Sequence, residues 1–352
     1  MILREVIILM KNSWKLWMHI LPIRQIILVD TEGIQNPNYS PSNPGWAYVG
    51  NTDWLSEFYK KAAFMQQHNA SLSGGTERNN YYASIGYKDQ SGIFRYGNDS
   101  YKRFNLSFNF DAKLTSWLDM SFSTRMSNIK NDEPYMDNGG SDAQTWYYEI
   151  YRMYPTLSVF LPNGDFAGLY LSSGNYNIIG KMALAGRNKK ETWAQWYTGR
   201  FDLHPLKGLS IKGDYSWNRY STVQKFHRKE MTQTFPEGGP IYTVETPNYV
   251  KNYNANNIYQ AINVWAEYKK SFDDMHNLSL MAGYNQEEKT YASTSYTMTN
   301  LYDNELPISD LAINYKENAE SADIWRVQGA FFRLNYDYRS KYLLEVNGRY
   351  DG

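Results

Sequence analysis

From about residue 65 onward the chain is organised at a period of two. Between Arg103 and Asp111, Phe104, Leu106, Phe108 and Phe110 alternate strictly with Arg103, Asn105, Ser107, Asn109 and Asp111. That spacing predicts a strand with one apolar and one polar face. Leu118, Met120, Phe122 and Met126 repeat the pattern against Asp119, Ser121, Ser123, Arg125 and Ser127. Lys113 to Trp117 leaves room only for a tight connection, so the two strands form an antiparallel hairpin.

The same unit recurs along the chain. Ala70 and Leu72 face Tyr81, Ala83, Ile85 and Tyr87 across a turn at Gly74 and Gly75, where positive φ is expected. Phe201 and Leu203 lead into Leu209, Ile211, Tyr215 and Trp217. Ile262, Val264, Ala266 and Tyr268 lead into Leu278, Leu280, Ala282 and Tyr284. Phe332, Leu334, Tyr336 and Tyr338 lead into Leu344, Val346 and Tyr350, with Glu345, Asn347, Arg349 and Asp351 on the other face. About ten strands of about 10 residues result, the length that crosses a bilayer at a tilt.

The connections alternate too. Short turns within hairpins give way to long ones between them: Lys88 to Ser100, Ile129 to Lys190, Arg219 to Asn257 and Gln286 to Ile324. Short periplasmic turns and long extracellular loops define outer-membrane barrels, whereas a propeller or sandwich would not confine its insertions to every second connection. The fold class expected is all-β, an antiparallel transmembrane β-barrel segment of about ten strands.

Composition agrees with that class. Aromatics reach 16%, with 32 Tyr and 11 Trp, yet mean hydropathy is -0.64. A barrel reconciles the two, because only alternate residues meet lipid and aromatic rings gather at the interfaces. Trp117, Tyr101, Trp193, Tyr268, Tyr338 and Tyr342 fall at predicted strand ends and fit such a girdle. Lys and Arg number 36, as do Asp and Glu, and they are well mixed, which argues against a nucleic-acid partner. The absence of cysteine fits an oxidising compartment. Residues 1–29 are apolar in patches, but Arg4, Lys11, Lys15, His19 and Arg24 break them too early for a spanning helix or a signal core.

Beside these patterns, particular phrases resemble the SusC/RagA family of TonB-linked outer-membrane receptors. Asn36 to Trp54 (NPNYSPSNPGWAYVGNTDW) is similar to that family's passage from plug to barrel. Asn69 to Met120 resembles its first barrel strands, through Ser73 to Thr76, Tyr82-Ala83-Ser84, Gly86-Tyr87, Gln90 to Ile93 and Tyr101-Lys102-Arg103; Tyr342 to Gly352 resembles a mid-barrel strand. The resemblance implies residues 1–34 as a lead-in foreign to the family, 35–64 as plug-to-barrel linker and 65–352 as part of a barrel of about 22 strands. It also implies a place in the bacterial outer membrane and import of an oligosaccharide or peptide. The partners implied are outer-membrane lipid, a SusD-like surface lipoprotein and, through a plug expected outside this stretch, the TonB-ExbB-ExbD system.

No catalytic residue, metal site or cofactor is expected. His19, His68, His204, His227 and His276 are scattered without ligand spacing. A self-contained barrel hydrolase using His227 at a loop rim and a soluble β-rich glycan-binding module are the alternatives. Two sets of residues are candidates for function. Arg103, Asn105, Asn109, Asp111, Arg125, Glu345, Asn347 and Arg349 would line a watery lumen. Trp146, Tyr147, Tyr148, Tyr151 and Tyr154, with Trp217 and Tyr220, would contact substrate or the lipoprotein lid by ring stacking. The spacing 147, 151, 154 also suits a buried helix face, which would make those rings packing residues.

Overall fold

The computed structural model describes residues 52–135, 142–155, 157–160, 164–167, 177–233, 242–244, 246–273 and 275–352. Ten strands form one antiparallel sheet in which each is bonded to the next: β1 (Met65–Gly75), β2 (Asn79–Ser91), β3 (Ser100–Lys113), β4 (Leu118–Pro134), β5 (Gly186–Leu206), β6 (Leu209–Arg228), β9 (Tyr249–Phe272), β10 (His276–Leu301), β11 (Ala312–Tyr338) and β12 (Tyr342–Asp351). The short strands β7 (Met231–Gln233) and β8 (Tyr242–Val244) pair separately within the β6–β9 connection. Among the described residues no helix is long and apolar enough to cross a membrane.

The expected hairpins form with the expected partners. Leu72 faces Ala83, Leu106 faces Met126, Leu203 faces Ile211, Val264 faces Tyr284 and Leu334 faces Val346. Connections within hairpins all lie at one end of the sheet, and the longer ones, from Ser91, Pro134, Arg228 and Leu301 onward, lie at the other.

Three details differ from the sequence reading. The strands run 10 to 27 residues, so the long connections are shorter than expected: β4 continues to Pro134, β10 to Leu301, and β11 begins at Ala312. Beyond the apolar band both faces meet water, so alternation fades while the hydrogen-bonded ladder continues. Gly74 and Gly75 stay within β1 without positive φ; a Cβ on Gly74 would strike the Tyr81 ring that covers it. Left-handed turn residues lie elsewhere, among them Gly208, at φ +87° between β5 and β6, where a Cβ would meet the Lys269 carbonyl. Trp193, finally, is not at a strand end but seven residues into β5.

Among the described residues no core lies under the sheet. The main buried cluster is at the long-connection end, where Trp54 and Phe58 of the short helix Trp54–Phe58 pack with Phe94, Trp146, Ile150, Met153, Val159, Ile178, Ile179 and Met182. Thr52 donates through its backbone N–H to the Pro155 carbonyl at 2.8 Å, and Trp54 donates from Nε1 to the Tyr154 carbonyl at 2.8 Å. The segment before β1 is thereby bound to the β4–β5 connection. Arg187 fastens the same module to the sheet, bonding to Asp132 and to the Gly97 and Asn98 carbonyls.

Candidate functional site

Register assigns every strand residue to a face, because side chains alternate and directly paired residues project on the same side. One row runs through Asp111, Ser121, Arg200, Asp214, Asn263, Asn285, Gly329 and Asp351. Arg103, Asn105, Asn109, Arg125, Glu345, Asn347 and Arg349 share the parity of that row, so all eight expected lumen residues lie on one face.

That face is tied together across strands. Ser123 donates to Asn109 at 2.7 Å and Ser127 to Asn105 at 3.0 Å. Thr198 and Ser216 hydroxyls meet at 3.0 Å, Asn263 donates to Asp214 at 2.9 Å, Asn285 to Asn263 at 2.7 Å, and Arg349 to Asn285 at 3.2 Å. It also carries a hollow of about 620 Å³ floored by β3 to β6, bordered by Asn109, Asp111, Arg125, Trp196 and Arg200.

The opposite face is apolar and bare. Phe104, Phe110, Met120, Phe122, Ile262, Val264, Leu280, Phe332 and Val346 all remain exposed on it. Tyr284 on this face is 41% exposed while its neighbour Asn285 on the polar face is 6% exposed. Such an inversion, with polar side chains sheltered and apolar ones displayed, suits a lipid solvent outside and water inside.

The loop aromatics divide differently from expectation. In the helix Asp142–Ile150 and the turn after it, Trp146, Ile150 and Met153 form the buried face, and Trp146 is 1% exposed. It cannot touch a ligand without unfolding the module, so its expected contact role is withdrawn. Tyr147, Tyr151 and Tyr154, one position along the helix, are exposed, as is Tyr148, over which Arg152 lies at 5.2 Å. The 147, 151, 154 stripe is therefore not the buried face. Tyr59 joins it, 6.4 Å from Tyr147 between ring centres, and burial, with the Tyr147 and Tyr151 phenols adding, pushes the Tyr59 hydroxyl well above its ordinary pKa.

Trp217 and Tyr220 do not act together. Trp217 pairs with Tyr197 on the apolar face, ring centres 5.5 Å apart, whereas Tyr220 pairs with Ala194 on the polar face. Trp217 thus belongs with the lipid-facing rings. Trp196, Tyr259 and Trp325 share the polar parity of Tyr220. They were not singled out from sequence, because aromatics in a barrel strand read by default as lipid-facing or girdle.

His227 lies within β6 rather than in a loop, and it is buried. Burial lowers its pKa, with Lys229 and Lys225 acting in the same direction against a hydrogen bond involving the Asn304 backbone and the Glu305 charge. Its Nε2 has no partner among the described residues. Around it the β10–β11 connection is clasped to the rim: Lys229 pairs with Glu305 at 2.6 Å, Glu230 and Asn304 exchange two bonds at 2.9 Å, and Leu301 donates to Asn248 at 2.7 Å. A buried base with no substrate access is poorly placed for hydrolysis. No group of three His, Asp or Glu able to hold a metal occurs among the described residues.

No family profile matches the chain. Individual relatives do. The TonB-dependent receptor P3 of Formosa agariphila is 26% identical over 314 residues, 86% of this chain and 29% of the relative. The TonB-dependent receptor SusC of Bacteroides thetaiotaomicron is 23% identical over 326 residues, 86% and 30% respectively. Among solved structures, the RagAB peptide importer in its closed-closed state shares the fold at a TM-score of 0.67 and 21% identity, over 87% of this chain and 33% of that one. The chain is thus similar to SusC and RagA along the stretch it covers, with the all-β architecture of those proteins. It spans less than a third of the length of the curated relatives it matches.

Proposed function

We propose that this chain forms part of the barrel wall of an outer-membrane importer of oligosaccharides or peptides, energised through TonB. The observation that carries the reading is the two-faced sheet: ten long strands in consecutive antiparallel order, apolar and exposed on one side, polar and cross-linked on the other. On the apolar face a run from Leu209 to Trp217 covers nine residues of β6, the length of tilted strand that crosses a bilayer.

In this reading residues 65–352 are barrel, 35–64 lead from a plug, and 1–34 stand outside the family pattern. The sheet edges at β1 and β12 pair with further strands of the same receptor, since an unpaired backbone group in hydrocarbon costs several kcal/mol. A SusD-like lipoprotein covers the long-connection end, where Tyr147, Tyr148, Tyr151 and Tyr154 offer exposed rings. The wall has no catalytic step to perform; its chemistry is selective, multiple, reversible hydrogen bonding and ring stacking along a water-filled path.

The test is uptake. Cells with the gene disrupted should lose import of at least one component from a mixed pool of labelled oligosaccharides and peptides, and cells lacking TonB should lose the same component. Unchanged import in both strains would refute the reading.

A further inference from the structure

One row of the polar face differs from all others. Reading the register across six strands gives Arg125 on β4, Trp196 on β5, Asn218 on β6, Tyr259 on β9, Lys289 on β10 and Trp325 on β11, each directly opposite the next. Aromatic rings and hydrogen-bond donors alternate strictly along it. Trp196 is 42% and Trp325 47% exposed, which is unusual for rings placed on the polar side of a sheet. Tyr259 donates its hydroxyl to Glu287 at 2.9 Å, which fixes its ring. Tyr220 lies in the adjoining row, paired with Asn257, and the hollow of about 620 Å³ opens beside Trp196.

We propose that this row is a stacking platform for a neutral, extended oligosaccharide lying across the inner wall of the barrel. The proposal rests on the importer reading above and adds to it a site and a substrate class. Adjacent strands are about 4.8 Å apart, so rings on every second strand recur at about 9.6 Å. That spacing is close to a two-sugar repeat of an extended chain, so each ring meets the apolar face of every second sugar. Between the rings, Arg125, Asn218 and Lys289 supply donors to sugar hydroxyls, and the adjoining rows add Asn109, Ser123, Thr198 and Ser216. The positive charges of Arg125 and Lys289 are offset in those adjoining rows by Glu287 and Asp323, so no net field selects an anion. Flat rings flanked by fixed hydrogen-bonding groups favour a rigid, hydroxyl-rich chain over a peptide, whose backbone would need an exposed strand edge or a shaped side-chain pocket.

The test uses the intact receptor that carries this chain, purified in detergent and probed with hexasaccharides of neutral α- and β-linked glucan, mannan, xylan and galactan, and with a mixed pentapeptide library. At least one hexasaccharide should bind, and Trp196→Ala and Trp325→Ala should each weaken it by about tenfold, the loss of a stacking ring at a hot spot. Trp196→Phe, which keeps a ring, should retain most of the affinity and controls for misfolding. Trp217→Ala, on the neighbouring strand but the other face, should leave binding unchanged. Oligosaccharide binding that ignores both Trp196→Ala and Trp325→Ala overturns the platform while leaving the importer reading intact. Binding of peptides only, or of none of the probes, overturns the carbohydrate assignment. Import that stays unchanged both in cells with the gene disrupted and in cells lacking TonB would instead strike at the importer reading.

Discussion

A charge placed on either face of the sheet should report which face meets lipid. Val264 sits on the apolar face of β9, directly opposite Gly213 and Tyr284. Along that strand it lies four residues from Tyr268 and four from Gln260, the residues that flank the apolar stretch. Four residues rise about 13.6 Å along the strand, which at a tilt of about 40° is roughly 10 Å along the membrane normal. Val264 is therefore near the middle of the band, where an arginine costs about 2 to 4 kcal/mol. Gln260→Arg, at the rim of the same face, should cost about 1 kcal/mol or less. Ser121→Arg, on the polar face beside Asp111 and Arg200, should be tolerated within about 1 kcal/mol, since its guanidinium enters water. The assay is reversible urea unfolding of the receptor in lipid vesicles, followed by tryptophan fluorescence. Equal costs for Val264→Arg and Ser121→Arg, or a larger cost on the polar face, would refute the assignment of faces.

Three further outcomes follow from the loop module, the rim and a hairpin turn. Trp146→Ala removes the largest ring of the buried loop cluster and should destabilise that module by about 3 to 5 kcal/mol, read as rapid proteolysis between residues 142 and 185 with barrel assembly unchanged; Tyr148→Ala should leave cleavage as it was. Because burial lowers the folded pKa of His227, the open connection binds more protons than the clasped one below the ordinary value of about 6.5. The clasp should then be firm at neutral pH and loosen as pH falls through that window, seen as faster amide exchange in residues 301–311, and His227→Phe should abolish the dependence. Gly208→Ala forces a Cβ into the Lys269 carbonyl at positive φ and should cost about 1 to 3 kcal/mol, measured in the same vesicle unfolding assay.

What the sequence made legible depended on which solvent each stretch meets. Where one face meets lipid and the other water, as from Phe104 to Asp111, the alternation is complete, and the hairpin partners read from it are those observed. From Gln286 to Leu301, β10 reads Gln-Glu-Glu-Lys-Thr-Tyr-Ala-Ser-Thr-Ser-Tyr-Thr-Met-Thr-Asn-Leu. Both faces there meet water or the rim, so no hydrophobic contrast marks a strand and the stretch passes for loop. Its order comes from the ladder it shares with β9 and β11, a long-range fact that local pattern does not encode. The loop aromatics failed for a smaller reason. Four tyrosines and a tryptophan within nine residues make the cluster obvious, but a helix turns about 100° per residue, and only the packing partners Phe58, Phe94 and Ile179 decide that 146, 150 and 153 point inward instead of 147, 151 and 154.

The aromatic residues of the strands were open to a stricter reading than residue type allows. Trp217 and Tyr220 are three apart, an odd number, so within one strand they cannot share a face. Trp196 is two and four residues from Thr198 and Arg200, so it must share theirs. Counting parity from an unambiguous charge such as Arg200 sorts every ring in a strand into lipid-facing or water-facing without any structure, provided that no bulge intervenes, and β5 and β6 pair without one from Gly186 to Leu203. An aromatic ring on the lipid side needs no functional explanation, because the band and its girdles are built of such rings. One on the water side does need it, since its apolar faces gain nothing from the lumen unless a ligand covers them. Parity therefore separates Trp196, Tyr259 and Trp325 from Tyr197, Tyr215 and Trp217, although composition treats all six alike. Substitutions in the first set should alter binding and leave assembly intact, and substitutions in the second should do the reverse.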